Sequence, residues 1–169
     1  MKVNQNAAKK LARAGIIGAL YAILTMVLYP ISYGGVQLRI AEALSILPLF
    51  FGEAVIGLTV GCFIANILGV NGLLDVIFGT LATFIASTLT YIIGKKIKGK
   101  LAFFIGGIPP VLVNAIIVPF TFLLTMSELK EMYLISSLSV CLGQALAVYL
   151  VGAPLYFAIK KRQNKKGLL

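Results

Sequence analysis

Three polar side chains, Gln37, Arg39 and Glu42, stand together at the start of an otherwise apolar segment. Ionisable groups cost roughly 2.5–3.5 kcal/mol each at membrane depth, so they usually line a cavity or pair with one another. An amide, a guanidinium and a carboxylate together supply hydrogen-bond donors and acceptors, which favours a site for a polar ligand. The alternative is an Arg39–Glu42 ion pair on one helix face that only fixes helix packing.

Four more polar residues interrupt apolar runs and are candidate ligand contacts: Asn66, Asp75, Asn114 and Gln144. Asp75 is predicted in a first helical turn, where the helix dipole favours an acid regardless of function. Asn66 and Gln144 could instead form hydrogen bonds between helices that only stabilise the bundle. If its helix begins at Pro110, Asn114 lies near the cytoplasmic end of that helix and is a weaker candidate. The donors and acceptors together suit a planar polar heterocycle better than an ion or a lipid.

The composition is that of a polytopic membrane protein. Of the 169 residues, 60% are hydrophobic and 12% are charged, and the mean hydropathy is +1.01. The net charge is +10, and 13 of the 15 Lys and Arg lie in three clusters, at 2–13, 95–100 and 160–166, that flank apolar runs. Such clusters are typical of cytoplasmic anchors, and no basic face with interleaved aromatic residues predicts nucleic-acid binding.

Several kinds of chemistry are excluded by what the chain lacks. It has no His, the commonest general base and metal ligand. Cys62 and Cys141 lie in separate apolar runs, which predicts neither a disulfide nor a metal site. No Walker A motif is present. We therefore expect no enzyme activity, no cofactor and no ATP hydrolysis by this chain itself.

The apolar periodicity predicts an all-α bundle of six transmembrane helices, at 11–29, 36–51, 54–69, 73–94, 101–125 and 131–159, in a single domain over 1–169. The second helix is short, because Ile40 to Phe51 spans only about 18 Å at about 1.5 Å per residue. Pro109 and Pro110 predict a kink or a fresh helix start at Pro110. Six spans place all three basic clusters, and both termini, on the cytoplasmic side.

The first helix carries two adjacent rows of small residues, which let another helix approach closely in a bilayer. These residues are Ala14, Gly15, Gly18, Ala19 and Ala22. A further small row, Gly57, Gly61, Ala65 and Gly69, marks the third helix. The pattern is compatible with packing inside the bundle and with docking of a separate subunit.

Five motifs occur in order along the chain: Gln37-x-Arg39-Ile40-x-Glu42, Gly61-Cys62-x-x-Ala65-Asn66, Gly72-Leu73-x-Asp75, Pro109-Pro110-Val111-x-x-Asn114 and Gly143-Gln144-Ala145. Together they resemble the QueT family over nearly the whole chain. One departure is Gln144, where the family pattern favours an acid; recognition there would involve a neutral amide.

The resemblance implies a substrate-binding S component of an energy-coupling-factor (ECF) transporter. Such a protein has six helices in the bacterial plasma membrane and takes up queuosine precursors, which are deazaguanine bases. It works with a membrane T component and two cytoplasmic ATPases. Its first helix carries an Ala-x-x-x-Ala-like row that contacts the T component, and the row Ala14, Gly18 and Ala22 resembles that feature, which favours subunit docking.

Two alternatives remain at this point. The chain could be an S component for another vitamin or heterocycle, since S components share an architecture and differ in ligand. It could also be a stand-alone secondary transporter, although such proteins usually show inverted repeats and none is visible here.

Overall fold

The computed structural model describes residues 5–32, 38–125 and 130–165, and every regular element in these ranges is helical. The α-helices are α1 Gln5–Val27, α2 Tyr29–Ser32, α3 Ala54–Leu68, α4 Gly72–Lys96, α5 Lys100–Gly106, α6 Ile108–Thr125, α7 Lys130–Ala145 and α8 Gly152–Lys165. A 3₁₀ helix covers Ile40–Leu49, and a π-helical segment, Leu146–Val151, joins α7 to α8. The all-α prediction is confirmed in the described ranges.

Four helical stretches are long and apolar enough to cross a membrane: Gln5–Val27, Gly72–Lys96, Lys100–Phe120 and Tyr133–Lys165. Two apolar helices, Ile40–Leu49 and Ala54–Leu68, are shorter. Many large apolar side chains on the outer surfaces are exposed, among them Ile16, Ile56 and Ile116. Several apolar helices and an apolar outer surface are characteristic of a multi-pass membrane protein.

The second predicted helix differs from expectation in length and winding. It was predicted over 36–51 and is found as a 3₁₀ helix at Ile40–Leu49. Every residue from 41 to 48 is buried, and α1, α3, α4, α5, α8 and the π-helical segment all pack around it. At about 2.0 Å per residue, its ten residues reach further than the same number in an α-helix. The bundle is built around this element.

The apolar stretch 101–125 is interrupted at Gly107, so that α6 begins at Ile108 rather than at Pro110. Pro109 and Pro110 therefore occupy the first turn, where a missing N–H leaves no helical bond unmade. The break leaves backbone carbonyls to be satisfied. The Thr90 hydroxyl donates to the Gly106 carbonyl at 2.9 Å, and the Tyr149 hydroxyl donates to the Phe104 carbonyl at 2.8 Å.

The small residues of α1 and α3 form a close helix–helix contact inside the protein. A Cβ on Gly18 would lie 2.8 Å from the Gly57 carbonyl oxygen, and a Cβ on Gly61 would lie 2.6 Å from that of Gly18. Ala14 is buried in the same contact, where its carbonyl oxygen would lie 2.6 Å from a Cβ on Gly57. On this face of α1, the small residues therefore allow α3 of the same chain to approach closely.

We expect Gly61→Ala to destabilise the bundle by about 1–3 kcal/mol, the usual effect of adding a methyl group to a filled contact. The new Cβ would meet the backbone of Gly18 and the Cβ of Tyr21, at 2.6 and 2.9 Å, so the two helices must separate. Unfolding in detergent, followed by circular dichroism, measures the effect.

The matched control is Gly15→Ala on α1, because nothing lies within 4 Å of a Cβ at Gly15. This variant should unfold at or slightly above the wild-type midpoint, since Ala is the better helix former. Equal midpoints for Gly61→Ala and wild type would show that the contact is not tightly packed.

Candidate functional site

Glu42, in the first turn of the 3₁₀ helix, is a buried acid that is only 3% exposed. Its carboxylate accepts hydrogen bonds from the Tyr21 hydroxyl of α1, the Ser45 hydroxyl at 2.8 Å and the Gln144 amide nitrogen of α7 at 2.8 Å. A buried acid requires such donors. Three separate segments thus hold one carboxylate in place.

Arg39 lies immediately before the 3₁₀ helix, where its backbone is extended (φ −86°, ψ 98°). Its guanidinium is buried and donates to Asp75 Oδ2 and to Asn66 Oδ1, each at 2.9 Å. Arg39 and Asp75 therefore form a buried ion pair. The hydrogen bonds described for Glu42 come from other side chains, those of Tyr21, Ser45 and Gln144.

Two amides complete the surroundings of Arg39 and Asp75. Asn66 donates to the backbone carbonyl of Asp75 at 3.1 Å, and Asn71 donates to Asp75 Oδ2 at 3.2 Å. The Asn66 bond connects the end of α3 to the beginning of α4, and the Asn71 bond lies within the start of α4. Because the guanidinium is planar and held at two nitrogens, its orientation is fixed.

A small cavity of about 20 Å³ borders both Glu42 and Arg39. Its apolar lining consists of Gly79, Val118 and Val140. Its polar lining comes from the 3₁₀ helix and the residue before it, and from α4, α6 and α7: Arg39, Glu42, Thr83, Asn114 and Gln144. A space of this size accommodates about one water molecule. The arrangement brings a carboxylate, a guanidinium, two amides and a hydroxyl to one point inside an apolar bundle.

Most of the polar residues selected from sequence converge here. Glu42, Asn114 and Gln144 line the cavity beside Arg39, and Asn66 and Asp75 hold that arginine. Gln144 donates a hydrogen bond directly to Glu42. Asn114 lines the cavity although its helix begins anew at Ile108. Gln37 lies outside the described residues.

Three contributors were missed: Tyr21, Ser45 and Thr83. Tyr21 is completely buried in the middle of α1, where an aromatic residue in an apolar run gives no polar signal. Ser45 had a signal, since it follows Glu42 by three residues, which is one turn of a 3₁₀ helix. Thr83 follows Asp75 by two helical turns on α4.

The buried thiol of Cys62 lies next to the cavity, in contact with Thr83 and Asn66. The Thr83 hydroxyl and the Asn66 amide donate to Cys62 Sγ at 3.2 and 3.4 Å. Cys62 and Cys141 are free thiols. Among the described residues, no three Cys, Asp or Glu side chains come together in a group that could hold a metal ion.

A family model described as QueT transporter matches residues 11–161. The chain belongs to the QueT transporter family. All the residues that line the cavity lie within the matched range. Membership of a transporter family supports transport rather than catalysis, and accords with several apolar helices around a polar centre.

The chain is also similar to a protein of Lactococcus lactis subsp. cremoris (strain MG1363) named Queuosine precursor transporter QueT. The two are 39% identical over 85 residues, which is 49% of this chain and 50% of the relative. The chain therefore spans about half the length of this curated relative in the match. No solved structure matches significantly.

Proposed function

We propose that the chain is the substrate-binding S component of an ECF-type importer that captures a queuosine precursor, a deazaguanine base, from outside the cell. The family match and the name of the lactococcal relative support the substrate class. The observation that carries the proposal is the cavity between Glu42 and Arg39. It combines one buried acceptor group with one buried donor group inside the bundle.

The recognition chemistry follows from these two groups. A guanine-like edge presents adjacent N–H donors and a carbonyl oxygen. A carboxylate has about four lone-pair positions, and Glu42 uses three for protein donors, so ligand N–H groups would take the fourth or replace Gln144. Arg39 meets the ligand carbonyl, or acts by holding an acid in place. Asn114 and Gln144 supply neutral donors and acceptors around the ring, and Gln37 belongs to the same proposed set.

Binding requires the cavity to enlarge, because small-molecule sites usually measure about 300–1,000 Å³ and this space measures about 20 Å³. Two elements beside it have non-standard winding: the 3₁₀ helix and the π-helical segment after Gln144. Such segments often mark hinges or functional sites. We propose that they move apart when the base enters.

The proposed topology has six spans with both termini in the cytoplasm of a bacterial cell. The four long helices and the shorter segments Ile40–Leu49 and Ala54–Leu68 make up the six. The three basic clusters then share the cytoplasmic side, as the positive-inside rule requires. The polar cavity lies towards the outer end of the short 3₁₀ helix, where an external solute can be captured.

Energy for transport would come from partners, since the sequence has no Walker A motif. We propose a membrane T component and two cytoplasmic ATPases as those partners. The docking surface is the part of α1 that the protein's own bundle does not cover. Gly15 and Ala19 are exposed and Ala22 is half-buried, whereas Ala14 and Gly18 are buried against α3.

We expect Ala19→Leu to abolish copurification with the T component, because a bulky side chain prevents close approach at a small-residue contact. The variant should still fold and bind solute, since Ala19 faces outwards. Ala158→Leu, at an exposed alanine of α8, is the matched control and should copurify as wild type does. If both variants copurify, the docking surface lies elsewhere.

Reconstitution tests the function itself. Proteoliposomes that hold this chain with the T component and ATPases should take up a labelled deazaguanine base only when ATP is supplied. Uptake by the chain alone would favour the stand-alone secondary transporter. Folded protein that binds no deazaguanine base, but binds another vitamin or heterocycle, would keep the S-component role and change the ligand.

A further inference from the structure

A second site candidate lies at the end of the bundle away from Glu42. A cleft of about 750 Å³ opens between the end of α4, the beginning of α5 and the end of α8. Its floor includes Leu49 and Phe50, where the 3₁₀ helix ends. An adjoining cleft of about 450 Å³ is also lined by Lys160 and Asn164.

The charged residues in the lining of these two clefts are all lysines: Lys98, Lys100, Lys160, Lys161 and Lys165. The chain has no Asp or Glu from 76 to 127 or from 132 to 169, so α5 and α8 bring no acid of their own to neutralise them. Glu53, the acid immediately before α3, forms an ion pair with Arg13. The clefts therefore carry a concentrated positive charge, which attracts an anion.

The walls are preformed rather than loosely arranged. The Tyr156 hydroxyl donates to the Gly99 carbonyl at 2.6 Å, which ties α8 to the turn before α5. Gly99 has φ +76°, a conformation that favours glycine. The Phe103 and Tyr156 rings pack with centroids 5.0 Å apart. A rigid, partly apolar cleft with a basic rim results.

Exposed apolar side chains continue directly from the basic rim. Leu101 and Phe104 on α5 are 59% and 56% exposed, and Phe157 on α8 lines the smaller cleft. In a chain that spans a membrane, such side chains face acyl chains, while the neighbouring lysines lie at headgroup level. A ligand with an anionic head and apolar tails matches both halves of this surface.

We propose that the smaller of the two adjoining clefts binds the headgroup of an anionic phospholipid, with its phosphate among Lys100, Lys160 and Lys161. Lys98 has a structural role as well, because its ammonium donates to the Gly94 carbonyl at 2.9 Å and so caps α4. Basic pockets between transmembrane helices are suited to such headgroups. The proposal rests on the membrane-spanning arrangement and is independent of which solute is carried.

Native mass spectrometry of the full chain in detergent micelles tests this, with phosphatidylglycerol and phosphatidylcholine of identical acyl chains as probes. Wild type should retain phosphatidylglycerol in preference to phosphatidylcholine. Lys160→Gln with Lys161→Gln should weaken phosphatidylglycerol retention roughly 10- to 30-fold, because each lysine near an anionic headgroup strengthens binding about three- to fivefold. Phosphatidylcholine retention should not change. Lys160→Arg with Lys161→Arg should keep the preference.

The matched control is Lys95→Gln with Lys96→Gln, two exposed lysines at the end of α4 that line neither cleft. This variant has the same net charge as the test variant and should retain phosphatidylglycerol within about twofold of wild type. An equal loss in both variants, or equal retention of the two lipids by wild type, would overturn the proposal. So would displacement of the lipid by an equal concentration of inorganic phosphate, which would indicate a site for a soluble anion. Solute binding does not enter these readouts.

Discussion

Glu42→Gln should weaken binding of a deazaguanine base to the purified protein roughly 10- to 100-fold, because hydrogen bonds to a charged group contribute about 1.5–3 kcal/mol. The substitution keeps the shape of the side chain and removes its charge. It also places an NH₂ group among donors, since the carboxylate accepts from Tyr21, Ser45 and Gln144. Both ligand recognition and the order of the surrounding side chains should suffer. Equilibrium dialysis with labelled base measures the dissociation constant.

Glu53→Gln is the matched control for this experiment. Glu53 is also an acid with a short contact, to Arg13, but it precedes α3, whereas Glu42 lies at the start of the 3₁₀ helix. Its removal should leave the dissociation constant within about twofold of wild type, as expected for a partly exposed pair. Equal affinities of Glu42→Gln and Glu53→Gln for the base would show that the Glu42 carboxylate does not contact the ligand.

Asp75→Asn should destabilise the folded protein by about 3–5 kcal/mol, the usual effect of removing one partner of a buried ion pair. The Arg39 guanidinium would stay buried opposite a neutral amide, with both side chains of the original pair less than a tenth exposed. The double variant Arg39→Met with Asp75→Leu should recover much of this loss, because neither charge is then buried alone. Denaturation in mixed micelles, followed by circular dichroism, measures the stability of both variants.

The pair Arg13–Glu53 again supplies the comparison. The Arg13 side chain is 45% exposed, so Glu53→Gln should cost only about 0–1 kcal/mol. Similar losses for Asp75→Asn and Glu53→Gln would mean that Arg39 and Asp75 do not form a buried ion pair. A double variant less stable than Asp75→Asn would mean that the polar network, rather than its charge, holds α3 and α4 together.

Much of the candidate site was predictable because polar groups in apolar helices have few places to go. Arg39, Glu42, Asp75 and Gln144 are costly to bury singly, and their convergence follows from that cost. Their pairing was not predictable from helical spacing. Arg39 lies in extended backbone before the 3₁₀ helix, so its direction is not set by the helix, and it contacts a residue 36 positions further along the chain.

The winding of the helices was also beyond what the sequence pattern could give. Apolar periodicity cannot separate a 3₁₀ helix from an α-helix in a segment that is buried on all sides, as 41–48 is. The break at Gly107 was signalled by the two prolines that follow it, but its position depends on Thr90, which accommodates the freed carbonyl of Gly106. The small residues of α1 predicted a close contact, while the choice of α3 as partner required the three-dimensional arrangement.

The hydrogen bond from Tyr21 to Glu42 connects the polar cavity to α1, whose outer side is the proposed docking surface. Tyr21 faces the polar centre and is completely buried, whereas Ala19, two residues earlier, faces outwards. A rotation of α1 that accommodates a neighbour at Ala19 also moves the Tyr21 hydroxyl relative to the carboxylate. Thermodynamic linkage makes this reciprocal: if docking weakens solute affinity by some factor, bound solute weakens docking by the same factor. The loaded and empty protein would then compete unequally for the same membrane partner.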